Sequence, residues 1–260
     1  FDDAQTGVKA LFTDEAYLAE LAARGYLLSS ANSINWGRLA PQIAYYYSAY
    51  CDLAGAGKIR MGEKINVCVP TGNFGNILAA WYAKHSGLPI ARLICASNRN
   101  NVLSDFLSTG VYDKNRAFHL TTSPSMDILV SSNLERLLSL TLEDEAQLNS
   151  LMAALKTEGR YEISAQARRK LQAEFACGWA DDEAVAAEIA ETFARDGYLP
   201  DTHTAVGLRV WREYRRRTGD ETPTVLAATA SPFKFCPAIL GALGKPVPEG
   251  DFERLSALSR

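Results

Sequence analysis

The residues best equipped for chemistry lie in Val67-Cys68-Val69-Pro70-Thr71-Gly72-Asn73-Phe74-Gly75-Asn76, an apolar run that breaks into a glycine-asparagine turn. The chain then continues into the apolar Ile77-Leu78-Ala79-Ala80-Trp81-Tyr82. A buried strand that empties into a helix N-terminus through such a turn presents several main-chain N–H groups at one point. Those unpaired donors and the positive end of the helix dipole together favour an anion, typically a phosphate. Gly72 and Gly75 are expected to let the backbone approach that anion and to take positive φ where needed. Asn73 and Asn76 tolerate the same conformations and add side-chain hydrogen bonds. The pattern is neither GxxxxGK[ST] nor GxGxxG, since it has no lysine and only two glycines. An ordinary βα turn therefore stands beside the anion cradle as a reading of this stretch alone.

Two further places carry polar groups in suggestive positions. Asn32 and Ser33 sit in a small polar run, and Arg38 follows where a helix begins. An arginine at a helix start is unfavourable toward the dipole, so Arg38 is more readily explained by an anion than by stability. Thr229 closes the apolar run Thr224-Val225-Leu226-Ala227-Ala228, and the carboxyl ends of strands are where open α/β sheets place ligand contacts. The three histidines (His85, His119, His203) have no cysteine or carboxylate at ligand spacing, so no zinc site is expected. His203, in Asp201-Thr202-His203-Thr204, reads first as a structural residue at a helix start. No paired carboxylates and no Ser/His/Asp set emerge. Two anion sites without an intrinsic nucleophile point to a phosphate-bearing cofactor that carries the reactive chemistry.

These groups need a scaffold, and periodicity supplies one. Apolar positions at helical spacing over residues 4–24 predict two helices broken near Thr13-Asp14. A helix is expected over Leu39 to Leu53, strands over Ile65 to Val69 and Pro89 to Ala96, a short helix over Asn100 to Ser108, and a strand over Phe118 to Thr122. Near-continuous apolar strands alternating with helices argue for an open, mostly parallel sheet with helices on both faces. From Met126 to Gly197 helical periodicity dominates, which predicts a helical insertion needing no strand. Asp201 or Thr202 caps a later helix, and Thr224 to Thr229 is the last strand.

At 260 residues the chain is long enough for one large domain or two small ones. A net charge of −3 gives no electrostatic reason to expect nucleic acid or an anionic membrane as partner. Five scattered cysteines without a CxxC read as free thiols suited to a reducing cytoplasm. No apolar run spans a membrane and no signal peptide is visible. The opening Phe1-Asp2-Asp3-Ala4-Gln5 reads as mid-protein, and the expectation is that an N-terminal portion precedes it.

Several segments together resemble threonine synthase in its bacterial and fungal form. They are Asn32-Ser33-Ile34-Asn35-Trp36-Gly37-Arg38-Leu39-Ala40-Pro41-Gln42, Pro70 to Asn76, Pro124-Ser125-Met126-Asp127-Ile128 with Ser132-Asn133-Leu134-Glu135-Arg136, Asp201 to Val206, and Ala228-Thr229-Ala230-Ser231-Pro232-Phe233-Lys234-Phe235. They run in family order across nearly the whole chain. The resemblance implies a tryptophan-synthase-β-like, fold-type II pyridoxal-phosphate enzyme that converts O-phospho-L-homoserine and water into L-threonine and phosphate. Residues 1–35 would then end a small domain, 36–125 and 198–260 would form the large cofactor domain, and 126–197 the insertion.

Residue by residue, the resemblance implies that Gly72, Asn73, Phe74, Gly75 and Asn76 hold the cofactor phosphate through the backbone. It places Thr229 opposite the pyridine nitrogen, and Asn32, Ser33 and Arg38, with Asn76, on the substrate phosphate. Two departures stand out. Ser231 occupies the place where many relatives carry histidine, and Thr202 replaces a proline. The Schiff-base lysine lies upstream in the family, no lysine here lies in its motif, and none is nominated as catalytic. Residues 1–260 alone are therefore expected to be inactive. The alternatives are another fold-type II lyase, such as threonine dehydratase or cysteine synthase, and a non-catalytic homologue that binds a phosphometabolite. Oligomeric state has no signature in the sequence.

Overall fold

The computed structural model describes residues 2–29, 31 and 33–259. Four parallel strands form the central sheet in the order β5-β2-β1-β6, namely β1 (Ile65–Pro70), β2 (Ile90–Ser97), β5 (Phe175–Trp179) and β6 (Thr224–Leu226). Alternation along β1 and β2 divides the core. Val67, Val69, Leu93 and Cys95 pack on one face with α3 (Trp36–Gly55), α4 (Gly75–His85) and α5 (Val102–Thr109). Cys68, Ile94 and Ala96 pack on the other with α9 (Asp182–Asp196), α10 (Thr202–Thr218) and α11 (Cys236–Ala242). Helices thus cover both faces, as the unbroken apolar strands predict.

The N-terminal region forms α1 (Asp2–Thr13) and α2 (Glu15–Ala23), split where the Asp14 side chain caps the second helix by accepting the Tyr17 N–H at 3.0 Å. Asp201 caps α10 in the same manner, taking the N–H groups of His203 and Thr204. Two further helices lie between the strands, α6 (Leu134–Leu142) and α7 (Glu145–Thr157), followed by α8 (Ala165–Glu174), and α12 (Asp251–Leu258) ends the fold.

Three expectations need correction. The segment 126–197 is not wholly helical. Arg160–Glu162 forms β4, which pairs antiparallel with β3 (Val111–Asp113), and β5 joins the main sheet beside β2. Cys177 lies opposite Cys95 in that pairing, so this segment completes the sheet as well as adding helices. The strand expected over Phe118 to Thr122 is irregular backbone. Its N–H groups are claimed by side chains, His119 N–H by Asn100 Oδ1 at 2.9 Å and Thr121 N–H by Asp127 Oδ2 at 3.0 Å. The last strand ends at Leu226, so Thr229 stands beyond the ladder on exposed chain.

Candidate functional site

β1 ends at Pro70 and α4 begins at Gly75, and the turn between them closes the carboxyl end of the sheet. Thr71 is buried, its N–H donating to the Ala96 carbonyl at 2.8 Å and its hydroxyl to the Val69 carbonyl at 2.7 Å. The turn's carbonyls are drawn outward. Ser131 Oγ donates to the Gly72 carbonyl at 2.9 Å, and the Asn133 N–H and Nδ2 donate to the Asn73 carbonyl at 3.1 and 2.8 Å. No side chain caps α4, and among the described residues the N–H groups of Gly72 to Asn76 meet no protein acceptor. A row of free amides at a helix N-terminus remains, which is the arrangement that holds a phosphate.

Neither glycine takes positive φ, which corrects the sequence expectation. Phe74 does, at φ 65°, with its ring buried 5.9 Å from the ring of Phe175. The left-handed region costs a bulky residue energy, and the buried ring packed against Phe175 of β5 holds it there. The glycines serve close approach instead. A Cβ on Gly72 would lie 2.6 Å from the Ser125 carbonyl oxygen, and one on Gly75 would lie 2.5 Å from Ser33 Cβ and Oγ.

A cavity of about 300 Å³ opens over this turn, lined by Ser33, Arg38, Gln42, Ser125 and residues 70–77. Arg38 is its one charged lining residue, and no ion pair engages its guanidinium among the described residues. The cavity is therefore suited to an anion on three counts: free amides, a helix dipole and an unpaired cation. Asn76 also borders a second cavity of about 300 Å³, lined by Tyr45, Tyr46, Ala49 and residues 225–229. Thr229 and Asn76 thus both line this second cavity. A larger cavity, about 650 Å³, runs along β5, but Asp105 lines it with Arg92 and Arg217 and the free amides lie elsewhere.

Ser33 and Arg38 are therefore gathered at the Gly72 to Asn76 turn, and Thr229 adjoins through Asn76. Asn32 lies outside the described residues. Several supporting residues carry no signal in the sequence beyond membership of the motifs. Asn133, fully buried, donates through Nδ2 to Ser33 Oγ at 2.9 Å as well as to the Asn73 carbonyl, and so joins the two walls of the cavity. Arg136 reaches back to the Ser33 carbonyl at 3.2 Å and to that of Ile34. Tyr46 donates its hydroxyl to the side-chain oxygen of Asn76 and to its carbonyl, the latter at 3.2 Å. Burial, and secondarily Cys68 nearby, pushes the Tyr46 hydroxyl up, so it remains a donor.

The loop that carries Ser125 is clamped from beneath. Asp127 Oδ1 accepts from Asn98 Nδ2 and Thr121 Oγ1 at 2.7 Å and from Asn100 Nδ2 at 3.0 Å. His203 Nε2 accepts the Ser125 N–H at 3.3 Å. His203 is thus not the cap of α10, which is Asp201; it reaches across to the site wall.

Comparison with known proteins points one way. A family model described as "Threonine synthase, C-terminal" matches residues 204–260. Human threonine synthase-like 1 is 47% identical over 247 residues, covering 94% of this chain and 33% of that protein. Threonine synthase of Pseudomonas aeruginosa is 40% identical over 240 residues, covering 92% of this chain and 48% of the enzyme. Among solved structures, pyridoxal-phosphate-bound threonine synthase from Brucella melitensis superposes with a TM-score of 0.84 at 39% identity, covering all of this chain and 53% of that one. Threonine synthase from yeast superposes at 0.81 and 32% identity, again with 53% of its chain covered. The chain spans between a third and about half the length of these relatives.

Proposed function

Since the chain belongs to the threonine synthase family and has the fold-type II architecture, we propose that its protein converts O-phospho-L-homoserine and water into L-threonine and phosphate with pyridoxal phosphate. One observation carries this reading: the free amides of Gly72 to Asn76 open into the cavity that Arg38 and Ser33 line. The residues fit the cofactor's phosphate, because Gly72 and Gly75 let the turn lie close against Ser125 and Ser33, and the turn's carbonyls are already bonded away from the free amides. When bound, the cofactor supplies an electron sink that stabilises carbanions on the amino acid.

The chain's own residues bind and orient. The Gly72 to Asn76 amides and the α4 dipole hold the cofactor phosphate without needing a counter-charge. Arg38, whose planar guanidinium suits bidentate contact, clamps the substrate phosphate together with Ser33, Asn32 and the Asn76 amide. Thr229 would supply a neutral hydroxyl for the ring nitrogen, and a hydroxyl there would leave that nitrogen less protonated than a carboxylate would. No lysine lines either cavity among the described residues, and the reading assigns the aldehyde-binding lysine to a part of the protein other than this chain. Free thiols are the reason the reading favours a reducing cytoplasm.

Steady-state kinetics of the full-length protein test the proposal. Arg38→Ala should raise KM for O-phospho-L-homoserine by roughly 10- to 100-fold, the loss of one charged hydrogen-bonding partner, while pyridoxal phosphate still binds. An unchanged KM would remove the phosphate role and favour a fold-type II lyase whose substrate bears no phosphate.

A further inference from the structure

His203 contributes nothing to capping α10, yet it is 4% exposed and bonded on both ring nitrogens. Nε2 lies 3.3 Å from the Ser125 N–H and accepts it, which requires a lone pair on that nitrogen. Nδ1 lies 3.3 Å from Asp201 Oδ1 and 3.4 Å from Thr202 Oγ1. The neutral ring therefore carries its proton on Nδ1 and donates it to Asp201. Asp201 is 2% exposed. Burial pushes its carboxyl up, but hydrogen bonds from His203 and Thr204, side chain and backbone, outweigh this and hold it below the usual range. Asp201 thus stays an anion able to fix the tautomer. The opposite face of the imidazole meets Phe235, ring centroids 4.9 Å apart, in the turn Pro232–Phe235 that follows Thr229.

Ser125 is where this chain of contacts meets the candidate site. It lines the cavity, and its carbonyl oxygen is the atom that a Cβ on Gly72 would strike at 2.6 Å. Ser125 is thus anchored through its N–H, and its carbonyl is wedged against the glycine turn. We propose that His203, locked by Asp201 as the Nδ1–H tautomer, is a positioning residue that holds the Ser125 peptide against Gly72 and so sets the shape of the phosphate turn. His203 lines neither of the two cavities that Asn76 borders. The proposal rests on the pyridoxal-phosphate reading only for its functional consequence; the contact itself stands apart from it.

The test uses the full-length protein, with His203→Phe to remove the acceptor while keeping an aromatic ring against Phe235, and His203→Gln to restore an acceptor through Oε1. Three readouts apply: the imidazole nitrogen spectrum of the unsubstituted protein, amide exchange at Ser125, and the dissociation constant for pyridoxal phosphate by tryptophan fluorescence. The spectrum should show His203 protonated on Nδ1 and bare on Nε2. His203→Phe should quicken Ser125 exchange and weaken pyridoxal-phosphate binding roughly tenfold each, with His203→Gln returning both to within about threefold. A proton on Nε2 overturns the proposal, as does unchanged pyridoxal-phosphate affinity in His203→Phe even where Ser125 exchanges faster. If His203→Phe does not fold, the nitrogen spectrum decides. A protein that binds no pyridoxal phosphate overturns the functional reading and the positioning role together, and the spectrum and Ser125 exchange then report whether the contact exists.

Discussion

The Tyr46 hydroxyl donates to the side-chain oxygen of Asn76, and this fixes the orientation of an amide that borders both cavities. With its oxygen engaged by Tyr46, the amide keeps the two N–H donors of its NH2. Tyr46 sits on α3, the helix that begins beside Arg38, while Asn76 sits in the first turn of α4. The packing of these two helices therefore aligns the cation, the amide and the free N–H groups on one space.

Tyr46→Phe deletes one oxygen and frees the Asn76 amide to rotate. The affinity of the protein for inorganic phosphate should fall roughly 3- to 10-fold, with the thermal midpoint lowered by the loss of about 1 kcal/mol. Equal phosphate affinity in the two proteins would show that Asn76 is oriented by something else.

Gly75→Ala puts a Cβ into Ser33 on the neighbouring wall, where the obstructing atoms at 2.5 Å include a Cβ that cannot swing aside. The turn or the 33–38 segment must shift, at a cost of about 1–3 kcal/mol for such overpacking. Phosphate binding should fall more than stability does, because the displaced amides are those that face the cavity. A denaturation midpoint and phosphate affinity both matching the parent would mean that the close approach is not needed.

Asp220 fastens the end of α10 to β1, accepting from Tyr214 Oη at 2.7 Å, Asn66 Nδ2 at 2.9 Å and the Thr222 N–H at 2.9 Å. Burial pushes its carboxyl up, and these hydrogen bonds outweigh that and leave it well below the ordinary range. A depressed folded-state value means the contribution is complete above the unfolded value, near pH ~4, and is lost as pH falls toward the folded one. Urea midpoints should therefore drop below about pH 4, and Asp220→Asn should flatten that acid limb. An identical acid limb in the variant would contradict this assignment.

The thiols give a simple check on the core. Cys51 is exposed, whereas burial pushes the Cys68 thiol up, aided by neighbouring Cys95, and holds Cys95 itself at about 12. Burial also raises the half-buried Cys177. A disulfide reagent at neutral pH should modify Cys51 first and reach all five cysteines only on unfolding. Rapid modification of Cys68 or Cys95 in the native protein would contradict the sheet as described.

Much of the scaffold was legible because it is written in local patterns. The apolar β1 run, its glycine turn and the apolar α4 announce one another, and Asp14 and Asp201 mark helix starts by residue type alone. β5 escaped because Phe-Ala-Cys-Gly-Trp has neither branched residues nor length, and only the partner strand β2 makes it extended. The opposite error at Phe118 to Thr122 came from side chains that outcompete a ladder for its N–H groups. Within the site, Gly72, Gly75 and Arg38 could be picked out by type and position. Asn133, Asp127 and Tyr46 could not, since they act through partners as far away in sequence as Ser33 is from Asn133.

The central claim is that the amides of Gly72 to Asn76 hold a phosphate. Backbone amide NMR of the protein titrated with pyridoxal phosphate tests it most directly. The account predicts that the Gly72 to Asn76 amide protons move downfield and saturate, that inorganic phosphate competes, and that Gly75→Ala weakens the response. Saturable shifts confined to the cavity along β5, or no response at the turn, would contradict it.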